Sequence, residues 1–229
     1  MTDLLTNPVY NALLFGDRHL SFGSDTVKFF DEQVSPFAGF DAGYDKGFED
    51  LYELLPADRK ILYAVTSTIT QPPGWKILHE IKGLQFIYEG GNDLTTDFFN
   101  IVPLSSTHVD EMVKLAALTK PGPFNTKTID FGHYFGIFES GKLIAMTGQR
   151  LHLGNYTEIS AVCTHPNYTG KGHANKLLQH QLQLILQQGR QAFLHVREDN
   201  DRAIALYHRL GFKVSRSMNF YFMQRKQER

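Results

Sequence analysis

One loop of the chain reads HPNYTGKGHA, residues 165–174, and joins a predicted strand to a predicted helix. Its two glycines, Gly170 and Gly172, let the backbone take positive φ and approach a ligand closely. The first N–H groups of a helix have no partner within it, and the helix dipole adds roughly half a positive charge there. Such a turn suits a phosphate group, although an ordinary strand–helix turn can carry the same glycines.

Two common phosphate motifs do not fit this loop. A P-loop needs Ser or Thr after Gly-Lys and a further glycine five residues earlier, but Gly172 and His165 stand at those two positions. A dinucleotide fingerprint needs three glycines. Ala174 can serve as the last of them, but no residue supplies the first.

A second cluster, NDRAIALYHRLGF over residues 200–212, predicts a capped helix. Asn200 is a favourable N-cap residue. Gly211 follows the helix as a C′ glycine, and Phe212 is placed for the hydrophobic contact that often accompanies it. One apolar face contains Ala203, Ile204, Tyr207 and Leu210.

Together the two segments resemble the GNAT superfamily of N-acetyltransferases. The cofactor loop of that superfamily reads Arg/Gln-x-x-Gly-x-Gly/Ala, and the loop here matches it except that Thr169 opens the motif. The second motif, Asn-x-x-Ala-x-x-x-Tyr-x-x-x-Gly-Phe, is matched in full over residues 200–212. The resemblance covers roughly residues 101–224. It implies an α/β (α+β) fold, with a mixed central sheet and helices on both faces.

A closer likeness is to the bacterial branch related to glycine N-acyltransferase. It lies in the phrases NPVYNAL (7–13), KPGPF (120–124) and YTEISAVCTHP (156–166). In that branch the N-terminal region resembles a smaller, degenerate copy of the same fold. We therefore expect an N-terminal α/β region at 1–95 and an acyltransferase domain at 96–229, with a linker around Gly90-Gly91-Asn92-Asp93.

Hydrophobic periodicity and turn residues predict the elements along the chain. The predicted helices are 8–20, 45–55, 106–118, 172–188 and 201–210. The predicted strands are 61–66, two strands broken near Gly83 within 75–88, then 98–104, 134–138, 142–151, 156–164, 192–196 and 218–223. Turns at Ser140-Gly141 and Gly154-Asn155 predict an antiparallel meander.

The resemblance also implies where the cosubstrate, acetyl-CoA, binds. The strand before the glycine loop splays from its parallel neighbour, and the pantetheine arm pairs with the exposed backbone of Ala161, Val162, Cys163 and Thr164. The pyrophosphate takes backbone N–H groups of the loop, and Asn200 either contacts the cosubstrate or only caps its helix. The implied loop residues are Thr169, Gly170, Lys171, Gly172, His173, Ala174 and Asn175.

Transfer of an acyl group to an amine requires the amine to lose a proton and the thiolate to gain one. Tyr207 occupies the position of the superfamily's thiolate-protonating tyrosine; the alternative is a packing tyrosine on an apolar helix face. Glu158 is the candidate base, acting directly or through water, or else a solvent-facing strand carboxylate. Cys163 is expected to be buried rather than nucleophilic. His165 and His173 flank the loop without further ligands at suitable spacing, so we predict no metal site.

The charge and hydrophobicity of the chain argue against some classes of protein. The 229 residues carry a net charge of −1, but residues 1–104 hold 7 basic and 15 acidic residues while 105–229 hold 16 and 9. The basic half suits an anionic ligand, or the two halves simply attract each other. No dense basic run suggests nucleic-acid binding. No stretch approaches the roughly 18 apolar residues of a membrane helix. A cytoplasmic location and a homodimer are both compatible with this composition.

These observations predict an enzyme that transfers acetyl from acetyl-CoA to a primary amine of a small molecule or amino acid. Two alternatives stay open. One is a non-catalytic acyl-CoA-binding module, which the departure at Thr169 favours. The other is an acyltransferase for a longer acyl chain. The residues do not select the acceptor; Thr119–Phe124 and Gln149–His152 are its expected walls, with Phe124, Phe131 and Tyr134 either lining the pocket or lying in the core.

Overall fold

The computed structural model describes residues 3–91, 94 and 98–226. In these residues the helices are α1 Pro8–Leu14, α2 Gly47–Leu54, α3 Val109–Thr119, α4 His173–Gln187 and α5 Asp201–Arg209. The strands are β1 Ser21–Gly23, β2 Val27–Phe30, β3 Ala38–Phe40, β4 Lys60–Val65, β5 Trp75–Tyr88, β6 Ile101–Pro103, β7 Phe135–Glu139, β8 Lys142–Leu153, β9 Tyr156–Thr164, β10 Gln191–Arg197 and β11 Phe212–Arg225.

The strands form two sheets. An eight-stranded sheet has the order β4-β11-β5-β10-β9-β8-β7-β6, and β1, β2 and β3 form a small antiparallel sheet. Strands β7, β8 and β9 make the predicted antiparallel meander. Strand β10 runs parallel to β9, because α4 carries the chain back to the same end of the sheet.

Helices cover both faces of the large sheet. Leu178 and Leu182 of α4 pack in one cluster with Leu194 of β10. Helices α1 and α3 pack in another cluster with the neighbouring Phe193. Because consecutive strand residues point to opposite faces, α4 lies on one side and α1 and α3 on the other. The predicted mixed sheet with helices on both faces is confirmed.

The predicted break at Gly83 is wrong, since β5 is a single strand of 14 residues. Gly83 pairs with Arg197 on one side and with Met218 on the other, so it lies inside the sheet. A Cβ at this position would approach both the Phe220 ring and the Val196 carbonyl oxygen to 2.9 Å. Close packing of neighbours, rather than a turn, therefore accounts for the glycine.

Some helices and strands also differ from the predictions in their lengths or number. The last strand extends over Phe212–Arg225 rather than 218–223, since its pairing with β5 continues through two register shifts. The predicted helix 8–20 divides into α1 and a 3-10 turn at Arg18–Leu20. The three short strands β1, β2 and β3 have no counterpart among the predicted strands.

Both predicted units contribute strands to one sheet. Strand β5 lies between β10 and β11 and pairs with each of them, and β4 pairs with β11 at the edge. Asn92 and Asp93 of the expected linker, and the expected boundary at 95/96, fall outside the described residues. The division into two units stays a prediction.

Candidate active site

The parallel strands β9 and β10 separate partway along their length. Their pairing begins at Tyr156 and Gln191 and ends at Glu158 and Phe193. Strand β9 then continues to Thr164 and β10 to Arg197 without pairing to each other. A wedge therefore opens in the middle of the sheet, with strand backbone along one of its sides.

A bulge in β9 shapes this wedge. The register with β8 shifts between the pairs Met146–Cys163 and Gly148–Ser160. Ala161 lies within the shift and has a φ of 53°, an unusual value for a residue with a side chain. Such bulges bend a strand and increase its twist, which turns the last part of β9 away from β10.

A cleft of about 420 Å³ occupies the wedge, and a second hollow of about 240 Å³ adjoins it at the glycine loop. The hydroxyl of Thr164 lines both and is buried without a hydrogen-bond partner among the described residues. The candidate residues that line one or both hollows are Glu158, Ala161, Val162, Cys163, Thr164, Thr169, Gly170, Gly172, His173, Ala174, Asn175, Asn200 and Tyr207.

The glycine loop has the backbone that its sequence predicts. Gly170 and Gly172 have φ values of 81° and 82°, and Gly172 is the N-cap of α4. A Cβ at either position would meet no atom within 4 Å. Positive φ, rather than crowding by protein atoms, therefore requires the glycines, and the space around the loop is open. Lys171 does not line the hollows; its Nζ lies 5.0 Å from the centre of the Tyr168 ring.

Two arginines that sequence reasoning did not select face the same loop. Arg202 lines both hollows and Arg209 lines the smaller one. Both are exposed, and neither side chain forms an ion pair or hydrogen bond with another described residue. Their spacing of seven residues places them on one face of α5. This spacing was visible in the sequence and could have identified the pair. They bring positive charge to the loop from the neighbouring helix.

The second motif supplies Asn200 and Tyr207. The side chain of Asn200 accepts a hydrogen bond from the Ala203 N–H at 3.2 Å, so it caps α5. Tyr207 is 7% exposed and packs between the rings of Phe86 and Phe212 while lining the large cleft. Burial raises the pKa of the Tyr207 hydroxyl to about 12. The group is therefore protonated at neutral pH.

Glu158 lies at the point where the strands separate, and it is buried. Its two carboxylate oxygens accept hydrogen bonds from Arg150 Nε at 2.9 Å and Arg150 Nη2 at 2.8 Å, and Oε1 also contacts His195 Nδ1 at 2.8 Å. Burial by itself raises the pKa of Glu158, but the charge and hydrogen bonds of Arg150, with the His195 contact, lower it to about 2. Glu158 is thus ionised throughout the neutral range and is not a solvent-facing carboxylate.

The hydrogen bonds around His195 define its tautomer. Gln85 Nε2 lies 3.1 Å from His195 Nε2 and also donates to the Leu5 carbonyl oxygen at 3.0 Å. Since an amide nitrogen only donates, His195 Nε2 accepts. The ring proton then lies on Nδ1 and points to Glu158. The charges of Arg150 and Glu158 offset each other.

Cys163 is 6% exposed, and burial raises the pKa of its thiol to about 11. The predicted burial of Cys163 is confirmed. A thiol in this environment is a poor nucleophile. Among the described residues, no group of three or more His, Cys, Asp or Glu side chains could hold a metal ion. None of the described helices is long and apolar enough to cross a membrane.

Only part of the expected acceptor wall lines the cleft. Thr119–Pro123 and Arg150 do so. Phe131 and Tyr134 are buried in the core cluster, against which Phe124 also packs. Sequence reasoning did not anticipate the apolar lining residues that come from distant parts of the chain: Phe37, Leu62, Ile81, Phe220 and Phe222.

Comparisons with known proteins agree with this geometry. The FR47-like protein family matches residues 134–221. The N-alpha-acetyltransferase RimI of Mycobacterium tuberculosis is 33% identical over 98 residues, which are 41% of this chain and 60% of that relative's length.

Solved structures extend the similarity to the whole chain. A structure from Novosphingobium aromaticivorans, assigned to the GNAT family of acetyltransferases, matches with a TM-score of 0.91 and 31% identity. The match covers 99% of this chain and 100% of that chain. A GCN5-related N-acetyltransferase from Kribbella flavida matches with a TM-score of 0.63 and 16% identity over 95% of each chain, which is a likeness of fold.

Proposed function

Since the chain belongs to the GNAT family of acyl-CoA-dependent acetyltransferases, we propose that it transfers acetyl from acetyl-CoA to a primary amine by direct attack. The observation that carries the proposal is the opening between β9 and β10. It connects a glycine loop suited to phosphate with a buried site that contains both Glu158 and Tyr207.

The residues present suit acetyl-CoA. Backbone groups of residues 161–164 lie on the unpaired side of β9, where an extended pantetheine arm would find hydrogen-bond partners. The start of α4 would receive the pyrophosphate. The unpartnered hydroxyl of Thr164 adds a polar group between these two regions.

Positive charge from α5 offsets the departure at Thr169. The threonine cannot make the charged side-chain contact that Arg provides at this position in the superfamily. Arg202 and Arg209 line the hollow beside the loop and have no competing ion pair among the described residues. We assign them to the phosphates of the cosubstrate, because unpaired guanidinium groups bind phosphate strongly. This positive charge argues against a cleft that is closed to acetyl-CoA because of Thr169.

Acetyl-CoA supplies an acyl thioester, and Tyr207 is the proposed acid for the departing thiolate. With a pKa of about 12 the hydroxyl is protonated across the working range. It forms no hydrogen bond with another described residue, so its proton is available to a group in the cleft.

Glu158 is proposed to act as an anion rather than as the final proton acceptor. A carboxylate with a pKa of about 2 holds a proton poorly at neutral pH. It can still orient the amine or polarise a water molecule that carries the proton to solvent. The sequence-based role through water is therefore the one that these contacts support.

The finer assignments are also proposals. We place the chain in the branch related to glycine N-acyltransferase on its sequence phrases, with a small-molecule acceptor and a cytoplasmic setting. The main rival acceptor is a protein N-terminus, in keeping with the name of the mycobacterial relative.

A thermal-shift titration with acetyl-CoA tests the proposal, with ATP and NAD as controls. A ligand specific for the folded state stabilises it by about 2.7 kcal/mol at one hundred times its dissociation constant. We expect a shift with acetyl-CoA alone, and amine-dependent release of free CoA. Binding without release for any amine would indicate a non-catalytic acyl-CoA-binding protein. A larger shift with a longer acyl-CoA would indicate a different acyl donor.

A further inference from the structure

Five apolar residues line one part of the cleft, and we call them the apolar box. Its members are Phe37, Leu62, Ile81, Phe220 and Phe222. They come from β4, β5, β11 and the position just before β3, so N-terminal residues build much of this box. Phe37 and Leu62 form an isolated bridge, and Phe222 pairs with Leu62 across β4 and β11.

The rings of the box are held in place by their neighbours. Phe220 meets the His195 ring edge-on at 5.3 Å, and Phe222 stacks on His79 at 4.4 Å. Gly83 has no side chain that would push Phe220 out of this position. Both phenylalanines are half-buried and line the cleft, so part of each ring faces the open space.

Arg150 and Glu158 form a bidentate pair in the polar floor next to the box, so their charges offset each other. His195 contacts Glu158 in the same floor. The Arg150 guanidinium also lies over the Phe37 ring at 4.8 Å. Lys120, which also lines the cleft, is exposed to solvent, which screens its charge.

This lining discriminates between classes of amine. A carboxylate on the acceptor, placed next to the floor, would compete with Glu158 for the Arg150 guanidinium. A second ammonium group on the acceptor would find the Glu158 carboxylate already paired with Arg150. Burying an unpaired charge is costly. A flat apolar group, in contrast, would contact aromatic rings at favourable edge or offset geometries.

We propose that the acceptor is a primary arylalkylamine, with its ring in the apolar box and its amine directed to Glu158. This inference rests on the proposed function, because the box matters only if the cleft receives an acceptor.

The test compares acceptors of different chemistry in the wild-type protein. The probes are 2-phenylethylamine, glycine, putrescine and a short peptide with a free N-terminal alanine. Release of free CoA gives kcat/KM for each, and calorimetry in the presence of CoA gives binding of 2-phenylethylamine. We expect kcat/KM for 2-phenylethylamine to exceed the others by about tenfold or more, with saturable binding.

Variants then locate the ring. Phe220→Ala and Phe222→Ala should lower kcat/KM for 2-phenylethylamine by about tenfold, mainly through KM. Phe22→Ala is the matched control, because Phe22 is exposed on β1 outside the cleft. The thermal shift with acetyl-CoA should be the same in all three. If Phe220→Ala does not fold, Phe220→Leu keeps apolar volume and should still weaken binding of the ring.

Preference for glycine, putrescine or the peptide would overturn the inference while leaving acetyl transfer intact. Equal loss of activity in the Phe22→Ala control would overturn the location in the box. Absence of both an acetyl-CoA shift and CoA release with every amine would instead refute the proposed function, and the acceptor assignment with it.

Discussion

Tyr207 is a packing residue that also reaches the cleft. It lies in the apolar cluster of α5, as its helical spacing predicts, and it also lines the cleft. The two sequence-based readings of Tyr207, a packing residue and a proton donor, are therefore compatible. Substitution of Tyr207 by phenylalanine separates the two readings, because it removes the hydroxyl and keeps the ring.

We expect Tyr207→Phe to lower kcat by roughly 10²–10⁴-fold while acetyl-CoA binding is retained. Steady-state kinetics measure the first quantity and calorimetry the second. Tyr88→Phe is a matched control, because Tyr88 belongs to the same buried cluster and does not line the cleft. Full turnover in Tyr207→Phe would remove the residue from the mechanism.

Glu158 is a residue whose environment could not be predicted from its own position. Its partners, Arg150 and His195, lie on two different neighbouring strands. Removing one member of a buried pair leaves the other without compensation and costs about 3–5 kcal/mol. We expect Glu158→Gln to be destabilised by about this amount at pH 7 in denaturant unfolding.

The pH dependence of this pair follows from the depressed pKa. The carboxyl has a pKa of about 2 in the folded protein against an ordinary value of 4.5. The stabilisation is thus present above pH 4.5 and is lost as the pH falls towards 2. The difference in unfolding free energy between wild type and Glu158→Gln should shrink over this window. Glu53→Gln, at an exposed position, should show no such change; a constant difference for Glu158→Gln would contradict the assignment.

At the scale of elements, α5 lines both hollows. Its apolar face brings Tyr207 to the cleft, and Arg202 and Arg209 line the hollow at the glycine loop. The second motif predicted the position of Tyr207. The sequence spacing places the two arginines on one helix face, but only the tertiary structure shows that this face lines the same hollow as the start of α4.

We expect Arg202→Gln and Arg209→Gln each to weaken acetyl-CoA binding by about tenfold, because each removes a charged hydrogen-bond donor. Calorimetry at two salt concentrations provides the measurement. The affinity of the double variant should fall less steeply with salt than that of the wild type. Lys114→Gln, on the exposed side of α3, is the control. Unchanged affinity in the double variant would assign the phosphates to backbone groups alone.

On the scale of the whole molecule, the N-terminal residues complete the catalytic sheet. Strand β5 fills the space between β10 and β11, and β4 closes one edge. Residues from this half also line the cleft, as part of the apolar box. The acidic N-terminal and basic C-terminal halves thus share one sheet and one cleft.

We expect a chain of residues 96–229 alone to be unfolded or aggregated, because its loss of β5 separates β10 from β11 and exposes their edges. Circular dichroism and size-exclusion chromatography check this expectation. Adding residues 1–95 as a separate chain should restore folding and acetyl-CoA binding. A stable, monomeric 96–229 chain with native acetyl-CoA affinity would instead support an independent C-terminal domain.

Local patterns were sufficient for several of the elements and for the backbone of the glycine loop. Glycines at positive φ, an N-capped helix and an apolar stripe depend on neighbours within a few residues, so the meander, α4, α5 and the glycine loop could be predicted from sequence. The sequence likewise identified Thr169 as a departure from the superfamily motif.

Tertiary structure alone decided which distant residues meet. The partners of Glu158, the arginines beside the loop and the apolar box depend on strand order and register, and neither is encoded in the spacing of a single segment. The continuous β5 shows the same limit: Gly83 suggested a turn, whereas its neighbours Phe220 and Val196 explain it. Local propensity depends on nearby residues, but burial, ion pairing and cleft shape arise from contacts between residues far apart in the chain.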